Sequence, residues 1–216
     1  MKYIIIGPPG SGKGTLAKQI AEKYNLCHIS TGELLRERSK QDDELGKYIS
    51  SLIDNGNFVS DDLSKKIIEE KIQENPNFIL DGFPRNVHQF HMFNKIFENQ
   101  NEKPIAVVLQ VNLNIVLERI RQRSLKENRA DDQNQEILKN RMTAYIKLTQ
   151  PVVNQYLKYT SSIVLDASKT KEEVFSQESA RKIKQLSMRH EMETMETEKE
   201  LFKLRNVVLK EALDEI

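Results

Sequence analysis

The feature that most constrains the fold is a glycine-rich segment near the N-terminus, which reads Gly7-Pro8-Pro9-Gly10-Ser11-Gly12-Lys13-Gly14-Thr15. It follows the apolar run 3–6 directly and precedes a helical pattern over residues 16–24. Glycines let the backbone N–H groups point inward at an anion, and the helix N-terminus and Lys13 add positive charge. The spacing therefore predicts a phosphate-binding loop between a strand and a helix.

Short apolar runs recur along the chain and alternate with helical patterns. The further runs cover residues 27–29, 78–80, 105–111 and 163–165. They lack polar alternation, as expected of strands that are covered on both faces. This β-α alternation predicts an α/β fold with a five-stranded parallel sheet flanked by helices. In such sheets, ligands bind at the carboxyl ends of the strands.

Composition excludes several classes of partner. The 216 residues carry 33 Lys and Arg against 32 Asp and Glu, a formal net charge of +1. Bulk electrostatics therefore gives no basis for binding nucleic acid or an anionic membrane. A single cysteine, Cys27, permits neither a disulfide within the chain nor a multi-cysteine zinc site. We therefore expect no zinc. No apolar run approaches the length of a membrane span, so we expect a cytoplasmic protein.

Asp81 follows the apolar run 78–80 directly. A carboxylate at the end of a buried strand, beside a phosphate loop, is placed to hold Mg²⁺ through water. The alternative is an aspartate that caps a helix. Thr15 is a second candidate near the metal, because Gly14 stands where Ser or Thr normally coordinates magnesium in such loops.

Arginines form the second signal. Arg119 and Arg123 lie four positions apart on one predicted helix face, and Arg129 and Arg141 follow them. Guanidinium groups neutralise phosphate charge and fit phosphate bidentately, as a reaction between two nucleotides requires. No general base is evident, and an acceptor phosphate that is already ionised near pH 7 needs none. The pattern predicts catalysis by positioning and charge stabilisation.

Several motifs together resemble the adenylate kinases among the nucleoside monophosphate kinases. Besides the phosphate loop, these are S-T-G-E-L-L-R at 30–36, D-G-F-P-R at 81–85 with Gln89, R-A-D-D at 129–132 and D-A-S-K at 166–169. The resemblance runs from residue 1 to about residue 184. Only five residues separate Arg123 from Arg129, so the lid is of the short type.

The resemblance implies Mg²⁺-dependent transfer of the terminal phosphoryl group of ATP to AMP, giving two ADP. The implied catalytic residues are Lys13, Arg85, Arg123, Arg129 and Arg141. The implied ATP-binding residues are Gly10, Ser11, Gly12, Lys13, Gly14, Thr15, Arg119, Arg123 and Lys169. The implied monophosphate-binding residues are Thr31, Arg36, Asn57, Phe58, Val59, Gly82, Phe83, Pro84, Arg85, Gln89, Arg129 and Arg141.

Two other functions stay open at this point. A UMP/CMP kinase of the same fold is favoured by the segments 32–36 and 84–86, whereas Thr31 and Gln89 favour AMP. A catalytically weak nucleotide-binding scaffold that acts through its C-terminal helix is the other alternative. The intact set of arginines argues against the scaffold, because a non-catalytic binder does not need all of them.

The sequence predicts a kinase domain over residues 1–185 and a charged helical extension over 186–216. Within the domain, the mostly polar residues 124–133 show no helical period, which predicts a loop between two helices. We expect this short lid and the monophosphate-binding segment 30–59 to move. We expect a monomer. The extension fits either a helix that is solvated or packs back on the fold, or one that self-associates or binds a partner.

Overall fold

The computed structural model describes residues 1–98, 103–127, 134–158 and 162–176, together with Ile183, Gln185 and Glu196. The predicted site residue Arg129, lid residues 128–133 and nearly all of the extension 186–216 lie outside the described residues.

A five-stranded sheet forms the centre of the molecule, with the strands in the order β2-β3-β1-β4-β5. The strands are β1 (Lys2–Ile6), β2 (Cys27–Ser30), β3 (Phe78–Asp81), β4 (Ile105–Gln110) and β5 (Ser162–Asp166). Every neighbouring pair is parallel. The predicted α/β fold is therefore confirmed. Because β1 lies between β3 and β4 and is parallel to both, the loops that follow these three strands lie at the same edge of the sheet.

Helices connect the strands. They are α1 (Lys13–Tyr24), α2 (Thr31–Ser39), α3 (Glu44–Asp54), α4 (Asp61–Glu74), α5 (Val87–Ile96), α6 (Leu113–Glu127), α7 (Gln135–Ala144), α8 (Gln150–Tyr156) and α9 (Lys171–Val174). A π-helical turn, Tyr145–Thr149, joins α7 to α8. The side chains of Ser30, Asp43, Ser60 and Asn86 cap the first turns of α2, α3, α4 and α5, which fixes where these helices begin.

Apolar side chains pack on both faces of the sheet. One cluster includes Phe78, Phe90, Phe93 and Phe97, and the other includes Tyr3 and residues of α1. Ile183 is fully buried in the second cluster, so its side chain packs with this side of the core. A third, smaller cluster of Leu35, Ile49 and Val59 lies within the predicted monophosphate-binding segment. That segment therefore has a core of its own.

Among the boundaries that differ from the predicted ones are the ends of α6 and β4. Helix α6 continues through Glu127, so residues 124–127 of the predicted lid are helical rather than loop. The segment contains no glycine or proline that would end the helix earlier, although its charged residues obscure the helical period. Strand β4 ends at Gln110 instead of residue 111. No helix in the described parts of the chain is long and apolar enough to cross a membrane.

Candidate active site

The carboxyl ends of β1, β3 and β4 open into a cleft of about 990 Å³. All of the predicted site residues that the structure describes line this cleft, from the phosphate loop to Lys169 and including Asp81. Arg129 is the one predicted site residue that lies outside the described parts of the chain. Residues that lie far apart in the sequence therefore meet at the edge of the sheet where the topology places ligands.

Backbone geometry explains the glycines of the phosphate loop. Gly10 and Gly12 have φ angles of 77° and 91°, which residues with a side chain rarely adopt. A Cβ atom on Gly10 would also lie 2.6 Å from Cγ1 of Ile120. The hydroxyl of Ser11 is buried and has no hydrogen-bond partner among the described residues. An anion in the loop would supply that partner.

Lys13 begins α1, and its ammonium group donates a hydrogen bond of 2.8 Å to the carbonyl oxygen of Pro8. The pKa of Lys13 is lowered to about 8, chiefly by burial; the charge of Asp81 opposes this effect, and the positive charges of Arg85, Arg141 and Arg123 add to it. Cationic side chains are thus crowded around the cleft. A bound polyphosphate would relieve their mutual repulsion.

Arg85 lies between the phosphate loop and the 30–59 segment. Its Nε donates a hydrogen bond of 2.6 Å to the carbonyl oxygen of Gly82. Burial lowers the pKa of Arg85 to about 10; Asp81 opposes this effect, and Arg141 and Arg36 add to it. The guanidinium remains charged at neutral pH and is suited to binding an anion that enters the cleft.

The π-helical turn contacts the backbone of Arg85. The hydroxyl of Thr149 donates a hydrogen bond of 2.8 Å to the carbonyl oxygen of Arg85. Tyr145, from the same turn, lines the cleft, and burial raises its pKa to about 12. Sequence reasoning missed both residues. Single-turn π-bulges occur frequently at functional sites, but no sequence pattern marked this one.

Asp81 ends β3 and pairs with Ile5 in the neighbouring strand. One of its carboxylate oxygens would lie 3.4 Å from a Cβ on Gly14, so the carboxylate faces the phosphate loop. The same oxygen lies 4.0 Å from Nε2 of His28. Burial lowers the pKa of His28, although the charge of Asp81 acts to raise it.

Arg119 ties α6 to the loop after β5. Its guanidinium donates hydrogen bonds to the carbonyl oxygens of Ala167, Ser168 and Lys169, at 2.5, 3.3 and 2.9 Å. Asp166 braces the same loop by accepting from the backbone N–H and the hydroxyl of Ser168. The guanidinium of Arg119 therefore shapes the loop that carries Lys169.

Gly56 brings the 30–59 segment against α7. Its φ angle is 71°, and a Cβ atom there would lie 3.0 Å from Cγ2 of Ile137 and 3.1 Å from Cγ of Arg141. This close approach places Arg141 beside the segment that contains Asn57 and Phe58. The charge of Arg141 also acts on Lys13 and on Arg85, because it lowers the pKa of both groups.

Two of the side chains that line the cleft, Thr31 and Gln89, are polar and buried. Ser30 caps α2, and the Thr31 hydroxyl has no hydrogen-bond partner among the described residues. Gln89 hydrogen-bonds with Asp61 and with the backbone N–H of Arg85. Sequence reasoning identified Thr31 and Gln89 but missed Asp61, which lies at the start of α4.

A phosphate loop after the first strand, a facing aspartate and a group of arginines over one cleft define a P-loop phosphotransferase fold. The family model described as adenylate kinase matches residues 5–161. The chain belongs to the adenylate kinase family. The prediction of an ATP:AMP phosphotransferase is thereby confirmed, and the UMP/CMP alternative is not favoured.

Individual relatives agree. The adenylate kinase of Petrotoga mobilis is 31% identical over 201 residues, covering 81% of this chain and 94% of the relative. The adenylate kinase of Elusimicrobium minutum is 36% identical over 206 residues, covering 82% and 96%. That of Stenotrophomonas maltophilia strain K279a is 39% identical over 160 residues, covering 72% and 85%.

Proposed function

We propose that this protein transfers the terminal phosphoryl group of ATP to AMP through a cleft in which Lys13, Arg85, Arg123 and Arg141 hold the reacting phosphates. The observation that carries the proposal is that these four cations line one cleft with the phosphate loop. The charges of the other three lower the pKa of Lys13, so they act on one small volume. A site so rich in positive charge favours ligands with several negative charges.

The ATP site is formed by the phosphate loop, with Arg123 nearby and the loop of Lys169 at the base of the cleft. Backbone N–H groups of the loop and the start of α1 would bind the β-phosphate, where the Ser11 hydroxyl lacks a partner among the described residues. Lys13 would follow the transferring phosphoryl group with its ammonium. Arg119 acts on this site through the loop that it ties to α6.

The AMP site lies at the other end of the cleft. Arg36 and Arg85 would hold the monophosphate, and Thr31 and Gln89 would contact the base. Residues 57–59 and 82–84 complete the wall. We also propose that the lid arginine Arg129 joins Arg141 at the transferring group, as the sequence resemblance implies.

In the reaction, an oxygen of the AMP phosphate forms a bond to the γ-phosphorus as the bond to the β,γ-bridging oxygen of ATP breaks. The acceptor oxygen is ionised at neutral pH, so no side chain has to remove a proton. Lys13, Arg123 and Arg141 stabilise the charge on the transferring group and on the leaving ADP. Arg85 neutralises the acceptor phosphate, which otherwise repels the incoming group.

Magnesium fits this site as a partner of the nucleotide. The described residues contain no group of three or more metal-ligating side chains, so a cation would need phosphate oxygens and water as well as Asp81. The Asp81 carboxylate faces Gly14 of the phosphate loop, and Thr15 lines the same cleft. Mg²⁺ held there would neutralise charge on the β- and γ-phosphates. A cytoplasmic location and a monomeric state stay predictions from the sequence.

A coupled assay of phosphoryl transfer from ATP to AMP, UMP, CMP and GMP tests the proposal. AMP should give the highest kcat/KM of the four. Lys13→Met should reduce kcat by several orders of magnitude while the far-ultraviolet circular dichroism stays native. Higher kcat/KM for UMP or CMP would contradict the AMP assignment, and nucleotide binding without any transfer would favour the scaffold alternative.

A further inference from the structure

The side-chain amide of Gln89 is held at both ends. Its Oε1 accepts a hydrogen bond of 2.7 Å from the backbone N–H of Arg85, and its Nε2 donates one of 2.7 Å to Oδ1 of Asp61. A backbone N–H can only donate, and an ionised carboxylate can only accept. The two neighbours therefore fix the orientation of the amide by their polarity. If the amide were flipped, its NH₂ group would face the backbone N–H of Arg85, and its oxygen would face the carboxylate of Asp61.

Asp61 is itself held in place. Its Oδ1 also accepts from Nδ2 of Asn86 at 2.9 Å, and its Oδ2 lies 2.8 Å from Nδ1 of His88. Burial acts to raise the pKa of Asp61, but the hydrogen bonds from His88, Asn86 and Gln89 outweigh burial and lower its pKa. Asp61 is therefore a carboxylate at neutral pH. Asp61 is the first residue of α4, and it contacts Gln89, which lines the cleft.

The amide of Gln89 keeps hydrogen-bonding capacity for a ligand. A carboxamide has two N–H donors and two acceptor lone pairs, and the described residues use one of each. One donor and one acceptor remain. Adenine offers a matching edge, with N1 as an acceptor and the N6 amino group as a donor. Hypoxanthine, the base of IMP, has the same size but the opposite pattern, with a donor at N1 and an acceptor at O6.

We propose that Asp61 is a positioning residue that sets the base specificity of the monophosphate site. By accepting from Nε2 of Gln89, it fixes the amide in the orientation that reads a 6-amino purine and rejects a 6-oxo purine. Asp61 does not line the cleft and acts through Gln89. This inference rests on the proposed function, because it assumes that Gln89 faces the acceptor base.

The test is a specificity ratio. With ATP as donor, kcat/KM is measured for AMP and for IMP in the full-length wild type, in Asp61→Ala and in Asp61→Asn. Loss of the side-chain acceptor in Asp61→Ala should lower the AMP:IMP ratio about tenfold, chiefly through a higher KM for AMP and a lower KM for IMP. The KM for ATP should not change. The Asp61→Asn substitution keeps a carbonyl acceptor at the same distance and should restore most of the ratio.

Asp62→Ala is the matched control. Asp62 is the next residue in the first turn of α4, carries the same charge and is exposed. Asp62→Ala removes the same charge from the same helix terminus as Asp61→Ala does, but it leaves the hydrogen bond between Asp61 and Gln89 in place. It should therefore leave the AMP:IMP ratio at the wild-type value. Should Asp61→Ala fail to fold, Asp61→Ser supplies the same readout, because serine suits a helix N-terminus and its hydroxyl is too short to replace the carboxylate.

An AMP:IMP ratio within twofold of wild type in folded Asp61→Ala would overturn the inference. An equal loss of kcat/KM for both substrates would also overturn it, because that result indicates a purely structural role. A wild-type enzyme that does not use AMP would instead contradict the proposed function. The wild-type measurement therefore separates the two failures.

Discussion

The guanidinium carbon of Arg85 lies 4.9 Å from the centroid of the Phe58 ring. The ring covers one face of the guanidinium, while Nε is held by the carbonyl oxygen of Gly82. None of the described residues accepts a hydrogen bond from the remaining N–H groups, which lie at the edge of the guanidinium where a phosphate would bind. Phe58 therefore fixes the plane in which Arg85 offers its donors to an acceptor phosphate.

Phe58→Ala should raise the KM for AMP about threefold to tenfold, because a partly desolvated cation–π contact stabilises by roughly 0.5–2 kcal/mol. The KM for ATP should change by less than twofold. Phe58→Tyr keeps an aromatic face and is the control. Steady-state kinetics with each nucleotide varied in turn checks the prediction, and a tyrosine variant as impaired as the alanine variant would contradict it.

Lys13 should lower the free energy of unfolding of the protein when no nucleotide is bound. Its pKa is lowered from 10.5 to about 8 in the folded state, so below pH 8 the native protein holds a charge that burial disfavours. Without nucleotide at pH 7, Lys13→Met should therefore raise the free energy of unfolding by about 1–3 kcal/mol. Urea denaturation of both proteins measures this difference.

The same comparison has a defined pH dependence. Between pH 8 and 10.5 the unfolded chain binds more protons at Lys13 than the folded chain, so the wild type gains stability relative to Lys13→Met as the pH rises. The advantage of the variant should shrink between about pH 7 and pH 10. A constant or growing advantage would show that the pKa of Lys13 is not lowered in the folded protein.

The sequence predicted the sheet and most of the cleft because both depend on local patterns. The phosphate loop needs positive φ angles at Gly10 and Gly12, and those glycines are visible in the sequence. Asp81 ends β3 and Arg85 lies four positions further along the chain, so predicting the strand also located them. In a parallel sheet, the end of each strand predicts which residues meet.

The supporting residues were not predictable in this way. Thr149 contacts the backbone of Arg85 across 64 positions, and Asp61 reaches Gln89 across 28. Neither pair has a fixed spacing, because each depends on how helices pack on one another. The end of α6 was also predicted too early, since its last turn has Leu125 as its single apolar residue and shows no apolar period.

Arg119→Ala should loosen the loop that carries Lys169, because three backbone carbonyl oxygens lose their donor. We expect the KM for ATP to rise about fivefold to thirtyfold, as hydrogen bonds from a charged group are worth roughly 1.5–3 kcal/mol and water replaces part of them. The KM for AMP should change little.

Arg121→Ala is the control for Arg119, because Arg121 lies on the same helix with an exposed side chain. It removes the same charge without touching the loop after β5. Equal effects of the two substitutions on the KM for ATP would indicate a general electrostatic contribution. Amide hydrogen exchange of residues 166–170 provides a second readout, and it should accelerate in Arg119→Ala alone.

The C-terminal extension should be dispensable for phosphoryl transfer. The last described residue that lines the cleft is Val174, and Ile183 is fully buried in the second core cluster, so a chain that ends after residue 188 keeps both. Removal of residues 189–216 should leave kcat and both KM values within about twofold of the full chain. The cut retains the whole of the predicted kinase domain.

The Tm and the association state of the truncated protein then distinguish an extension that packs on the kinase domain from one that self-associates or binds a partner. A segment that packs on the kinase domain contributes buried apolar area, so its removal should lower the Tm. A segment that only self-associates or binds a partner should change the sedimentation coefficient or partner capture and leave the Tm unchanged. A truncated protein that keeps the Tm and association state of the full chain, yet loses activity a hundredfold, would show that the extension reaches the active site.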